Sequence, residues 1–132
     1  MPSREPAVHA LTRTECEVWI AGHVEARLGF ETGRGHRSVV VTYATRRDEV
    51  LLLLPEYHPA TGYLLGSFVT LDVEAPATDG GWESVRASGV AYPGDDAEAG
   101  SVHPVGASWP AGVATHPVHV PLDRLEGVLR AA

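Results

Sequence analysis

From Ala26 onward the apolar residues of this chain come in runs no longer than a strand, separated by glycine-, proline- or charge-rich turns, so the chain has to fold as a succession of short strands. Arg27-Leu28-Gly29-Phe30-Glu31, the turn Thr32-Gly33-Arg34-Gly35 and residues 36–43 read as a hairpin. A second turn, Thr45-Arg46-Arg47-Asp48, leads into Glu49-Val50-Leu51-Leu52-Leu53-Leu54, which Pro55 stops at strand length. Residues 55–67 form an irregular connection with one helical turn expected around residues 61–65. Residues 68–74 alternate as a strand, residues 75–81 are a turn-rich loop, and residues 82–92 are a further strand in which Ser88-Gly89 predicts a bulge or a close backbone approach. Residues 93–112 read as a surface excursion anchored by Trp109, and residues 116–122 alternate as an edge strand, followed by a short stretch to Val128.

Before this β region, residues 1–10 hold two prolines and read as a flexible lead-in. Leu11-Thr12-Arg13-Thr14-Glu15 then offers a capping box, with Leu11 placed to staple against Cys16. The short helix that follows sets Cys16, Trp19, Ile20 and His23 on one face directed at a core. The expected fold is mainly β: one domain over residues 11–132, a closed or partly closed antiparallel barrel of about six strands with one or two short helices.

Composition narrows the function. The 132 residues suffice for one domain, and no run approaches the roughly 18 apolar residues of a membrane span. The start lacks the apolar stretch of a secretory signal, so a cytoplasmic protein is expected, and the single Cys16 supports neither an internal disulfide nor a thiolate-rich zinc site. Net charge is −7 and the ten basic residues are scattered, arguing against nucleic acid. All ten are arginines. With no lysine in the chain, a Schiff base or a phosphate-binding lysine from this chain is excluded.

The order of motifs is familiar. Leu11-Thr12-x-x-Glu15-Cys16, the strand Ala26-Arg27-Leu28-Gly29-Phe30, the turn Gly33-Arg34-Gly35, Thr42-Tyr43, Leu71-Asp72-Val73-Glu74, then Gly81-Trp82-Glu83-Ser84-Val85 with Gly89, and a closing strand over residues 118–127, together resemble actinobacterial members of the pyridoxamine 5'-phosphate oxidase-like family. The resemblance implies a split antiparallel β-barrel, a homodimer and FMN held in grooves between subunits, with oxidoreductase chemistry on a small organic molecule. In that family the loop after the fourth-strand equivalent commonly carries a Thr-Lys or similar pair for the cofactor phosphate. Here it reads His58-Pro59-Ala60-Thr61-Gly62-Tyr63. With the lysine missing, only Arg27, Arg37, Arg86 or a loop arginine could take the phosphate; Arg27 and Arg37 are the leading candidates, with Thr61 and Tyr63 as the surviving loop contacts and Trp82 and Ser84 as further cofactor-side residues.

Tyr57 and His58, beside Glu56, are the candidate acid–base residues, against a bland reading as a solvated loop. The seven histidines read as surface or interface residues, because their spacing is not that of a zinc site. No metal is expected. Trp19 reads as core, whereas Trp82 and Trp109 fit either a core or a flat ligand. Ser84 lacks the pattern of a hydrolase nucleophile. A second reading stays open: a flavin-free barrel whose leucine-lined groove, edged by Tyr57, His58 and Ser84, binds an apolar molecule or catalyses a non-redox step such as a cyclisation.

Overall fold

The structure is a computed structural model that describes residues 8–55, 63–77, 80–94 and 115–130. It opens with a three-residue strand, β1 (Val8–Ala10), and one helix, α1 (Arg13–Ala21). The strands β2 (Glu25–Thr32), β3 (Gly35–Arg46), β4 (Glu49–Pro55), β5 (Phe68–Pro76), β6 (Trp82–Val90), β7 (Tyr92–Pro93), β8 (Thr115–Pro121) and β9 (Arg124–Arg130) follow. All pair antiparallel in the order β1-β9-β6-β5-β2-β3-β4-β8-β7. This is the split antiparallel barrel, mainly β, that the sequence led us to expect.

The alternation that defines the strands also builds the interior. Leu28 and Phe30 of β2, Val41 and Tyr43 of β3, Val50, Leu52 and Leu54 of β4, Val69, Leu71 and Val73 of β5, Val85 and Ala87 of β6, and Val118 and Val120 of β8 meet in one core. The helix adds Cys16 and Ile20 to it. Both sides of the capping box are made: Glu15 N–H donates to Thr12 Oγ1 (3.2 Å), and Thr12 N–H donates to Glu15 Oε1 (3.0 Å). Trp19 Nε1–H donates to the Val73 carbonyl (3.1 Å) and the Tyr43 hydroxyl to the Ile20 carbonyl (2.7 Å), tying α1 to β5 and β3.

Closure depends on two glycines. A Cβ on Gly89 would lie 2.4 Å from the Pro121 carbonyl oxygen, so β6 approaches the end of β8 more closely than any side chain allows. A Cβ on Gly127 would meet Cys16 Sγ and Leu11 Cδ1 at 2.9 Å, and this lets β9 press against the helix. The expected close approach at Ser88-Gly89 is thus present.

Several local expectations change. The described residues hold nine strands rather than about six, and one helix. Val8–Ala10, inside the expected lead-in, pairs with β9. The strand expected at residues 116–122 is not an edge. It runs between β4 and β7, because the strand expected at residues 82–92 breaks at Ala91, whose N–H donates to the Ser67 carbonyl (2.9 Å), and the released Tyr92–Pro93 pair with β8. The stretch toward Val128 is the strand β9.

Candidate functional site

The β2–β3 turn and Tyr63 enclose a groove of about 740 Å³ lined by Phe30, Thr32, Arg34, Arg37 and Val39, among others. Its geometry follows from the hairpin. Phe30 sits opposite Arg37 in the ladder, so the buried ring and the exposed guanidinium share one position on facing strands. Arg34 rides on the turn, which Thr32 holds: its hydroxyl donates to the Gly35 carbonyl (2.9 Å) and accepts from the Arg34 N–H (3.1 Å). Tyr63 stacks on Phe30 with ring centroids 6.1 Å apart at 23°. Among the described residues no carboxylate engages Arg34 or Arg37, so two guanidinia stand beside an aromatic pair in a groove of small-molecule size, which runs about 300–1,000 Å³.

Other candidate residues lie elsewhere. Arg27 and Trp82 line a second groove, about 510 Å³, on the outer face of the sheet together with His23, Glu25, Asp72 and Glu74. Ser84 faces a third, about 490 Å³, with Arg86 and Glu126. The cofactor-side residues assigned from the sequence therefore divide: Arg37 and Tyr63 come together, whereas Arg27, Trp82 and Ser84 do not join them. The division is a consequence of strand parity. Arg27 is opposite Val40 on the outer face, while Arg37 follows Phe30 at the end of the hairpin. Tyr57, His58 and Thr61 lie outside the described residues, as does Trp109. Arg34 is a loop arginine that the sequence left open without singling out, although its place in a two-residue turn three positions from Arg37 was the available signal.

Among the described residues, none of the grooves is lined by the leucines of β4. Leu51, Leu52 and Leu54 are fully buried, Leu52 and Leu54 in the core and Leu51 on the opposite face of β4. A strand apolar on both faces packs on both, and these three leucines fill the interior instead of lining an opening.

On the outer face, Arg86 grips Asp72 through two bonds, Nε–H to Oδ1 (2.7 Å) and a terminal N–H to Oδ2 (3.1 Å), and this holds the guanidinium proton more tightly than usual. His119 departs from the surface or interface role expected of it. It is buried, its Nδ1 lies 2.7 Å from Glu49 Oε1, and its ring stacks on Tyr92 (centroids 4.8 Å, 10°), whose hydroxyl donates to Glu49 Oε2. Burial pushes the Cys16 thiol above its usual range, as suits a packing residue. Among the described residues no group of three or more His, Cys, Asp or Glu is arranged to hold a metal ion, and no helix is long and apolar enough to cross a membrane.

No protein-family model matches the chain, and neither does any curated protein. Solved structures do match. The FAD binding protein from Mycobacterium smegmatis superposes with a TM-score of 0.77 at 20% identity, over 96% of this chain and 100% of that one. An FAD-binding protein from Mesorhizobium loti gives 0.80 at 15% identity, over 97% and 100%. A candidate pyridoxamine 5'-phosphate oxidase from Corynebacterium glutamicum gives 0.76 at 14%, over 98% of each chain. The chain has the split-barrel fold of these FAD-binding and pyridoxamine 5'-phosphate oxidase-like proteins. At such identities the likeness carries the fold, and function has to be argued from the site.

Proposed function

We propose that this chain is a flavin-binding split-barrel protein of oxidoreductase type that holds FMN in the groove between the β2–β3 turn and Tyr63. The observation that carries the reading is the convergence there of Arg34, Arg37 and the Phe30–Tyr63 aromatic pair. The donor set fits the group. Two guanidinia offer forked N–H donors to a phosphate, and in a chain without lysine they are the charge-assisted contacts available. The aromatic faces suit a flat ring system. When bound, the flavin supplies hydride and electron transfer; the chain binds it, orients it and limits its contact with water. In this reading Tyr57 and His58, six and five positions before Tyr63 in the sequence, remain the acid–base pair for a small organic substrate. That the solved relatives of the same fold include FAD-binding proteins supports the flavin class.

The test is a fluorescence titration of the purified protein with FMN and, separately, FAD. Saturable quenching at micromolar FMN is expected, and Arg37→Ala or Arg34→Ala should weaken it about ten- to a hundred-fold each, the equivalent of roughly 1.5–3 kcal/mol per charge-assisted contact. Thermal midpoints of the variants should stay near that of the parent, because both arginines are exposed. Unchanged flavin fluorescence with a colourless protein would reject the reading, and tighter binding of FAD than FMN would replace the mononucleotide with the dinucleotide.

A further inference from the structure

Arg27 and Trp82 have no part in the groove at Arg34 and Arg37, and the groove they share on the outer face of the sheet has a different chemistry. The two openings use opposite faces of the β2–β3 hairpin: Arg27 and Val40 take one, Phe30, Arg37 and Val39 the other. Val24 (43% exposed), Trp82 (44%) and Val40 (54%) give the outer groove an apolar wall that stays open among the described residues.

The charges of this groove are set by strand register. A row of alternating charge crosses the outer face in the order Glu126, Arg86, Asp72, Arg27, each directly opposite the next in the ladder. Arg86 engages both carboxylate oxygens of Asp72, so Arg27 at the end of the row is left over. Among the described residues its guanidinium makes no ion pair and no side-chain hydrogen bond. One pleat repeat along the two strands, about 6.7 Å from Arg27 and from Asp72, Glu25 and Glu74 stand on the same face and line the same groove. Among the described residues neither meets a cation. His23 adds an acceptor to this end. Its Nδ1 lies 2.6 Å from the Trp19 carbonyl, which can only accept, so Nδ1 carries the proton and the neutral ring keeps Nε2 as an acceptor.

We propose that this groove binds a free α-amino acid with an aromatic side chain. Such a molecule carries a carboxylate and an ammonium side by side. Arg27 offers its fork of N–H donors to the carboxylate, Glu25 and Glu74 take the ammonium, and the side chain lies against Trp82, Val24 and Val40. The volume, about 510 Å³, is of small-molecule size. A ligand with one charge fits worse: a plain amine leaves Arg27 unanswered, and a plain acid is set against Glu25 and Glu74. The wrong ligand is rejected by the charges it leaves unpaired. None of these residues lines the groove assigned to the flavin, so the site does not depend on that reading.

Isothermal titration calorimetry of the full chain with L-phenylalanine tests the proposal. Saturable binding at millimolar concentration or below is expected. Phenethylamine, which lacks the carboxylate, and 3-phenylpropionate, which lacks the ammonium, should each bind at least about ten-fold more weakly. Arg27→Ala should weaken phenylalanine at least about ten-fold without weakening phenethylamine, and Glu25→Gln combined with Glu74→Gln should do the same without weakening 3-phenylpropionate. Circular dichroism and the thermal midpoint check that the variants fold. No saturation up to about 10 mM phenylalanine, a dissociation constant above the millimolar range, would overturn the proposal. So would analogues that bind as well as phenylalanine, or variants that weaken all three ligands alike. Displacement of phenylalanine by FMN would move it to the flavin groove and equally overturn the assignment. FMN titration of the parent chain reads the groove at Arg34 and Arg37 alone, so the two proposals fail separately.

Discussion

Replacing Tyr43 by phenylalanine is expected to destabilise the chain by about 1–3 kcal/mol, read as a lowered denaturant midpoint. The substitution keeps the ring in the core but strands the Ile20 carbonyl, which the phenol hydroxyl satisfies at 2.7 Å where water does not reach. The same burial raises the phenol pKa far above its ordinary value. In the unfolded chain a tyrosine ionises near pH 10, so above that pH the unfolded state has released a proton the folded state retains, and stability falls as pH rises. Tyr43→Phe should flatten that fall above about pH 10, and an equally steep fall in the variant would remove Tyr43 as its source. Single residues also show where sequence reading stops. Trp19 and Cys16 read as core from helical spacing; Cys16 is buried in it and Trp19 packs half-buried against it. His119 read as a surface or interface histidine, because nothing adjacent in sequence announces Glu49 or Tyr92, some seventy and twenty-seven positions away.

At the scale of elements, the helix is the part most fully written in local sequence. Thr12→Ala removes one half of the capping box and should cost about 0.5–2 kcal/mol by equilibrium denaturation, whereas Thr12→Ser, which keeps the hydroxyl, should cost far less. The β2–β3 hairpin and the turn at Arg47-Asp48 were legible for the same reason: turn residues and alternation act over a few positions. β1, β7 and the flanks of β8 were not. A strand of two or three residues has no periodicity to detect, and whether β8 lies at an edge depends on Tyr92–Pro93, which reach it only after the chain turns at Ala91. The candidate site divides along the same line. Arg37 was legible as a cation on a hairpin strand, but its grouping with Arg34 and Tyr63 and its separation from Arg27 are set by which face each residue takes and by how the Tyr63 turn packs on Phe30.

For the whole molecule, the closure of β6 on the end of β8 rests on a contact that only glycine permits. Gly89→Ala should destabilise by about 1–3 kcal/mol and lower the thermal midpoint, because both clashing groups are backbone and neither swings away. Gly33→Ala, with nothing within 4 Å of the added Cβ, is the control and should change stability by less than about 0.5 kcal/mol. Equal losses in both would discount the close approach. The sequence by itself determined the class of fold, the helix after Thr12 with its cap, the alternation that fills the barrel, and the absence of lysine that leaves any phosphate to arginine. Those features arise from interactions a few residues apart or from composition. The tertiary structure alone decided that Leu51, Leu52 and Leu54 of β4 are buried rather than groove-lining, that the nine described strands share one sheet, that Arg27 and Arg37 line different grooves, and that a row of alternating charges crosses the outer face. Each of these depends on register between strands distant in sequence, where a shift of one residue would exchange the faces.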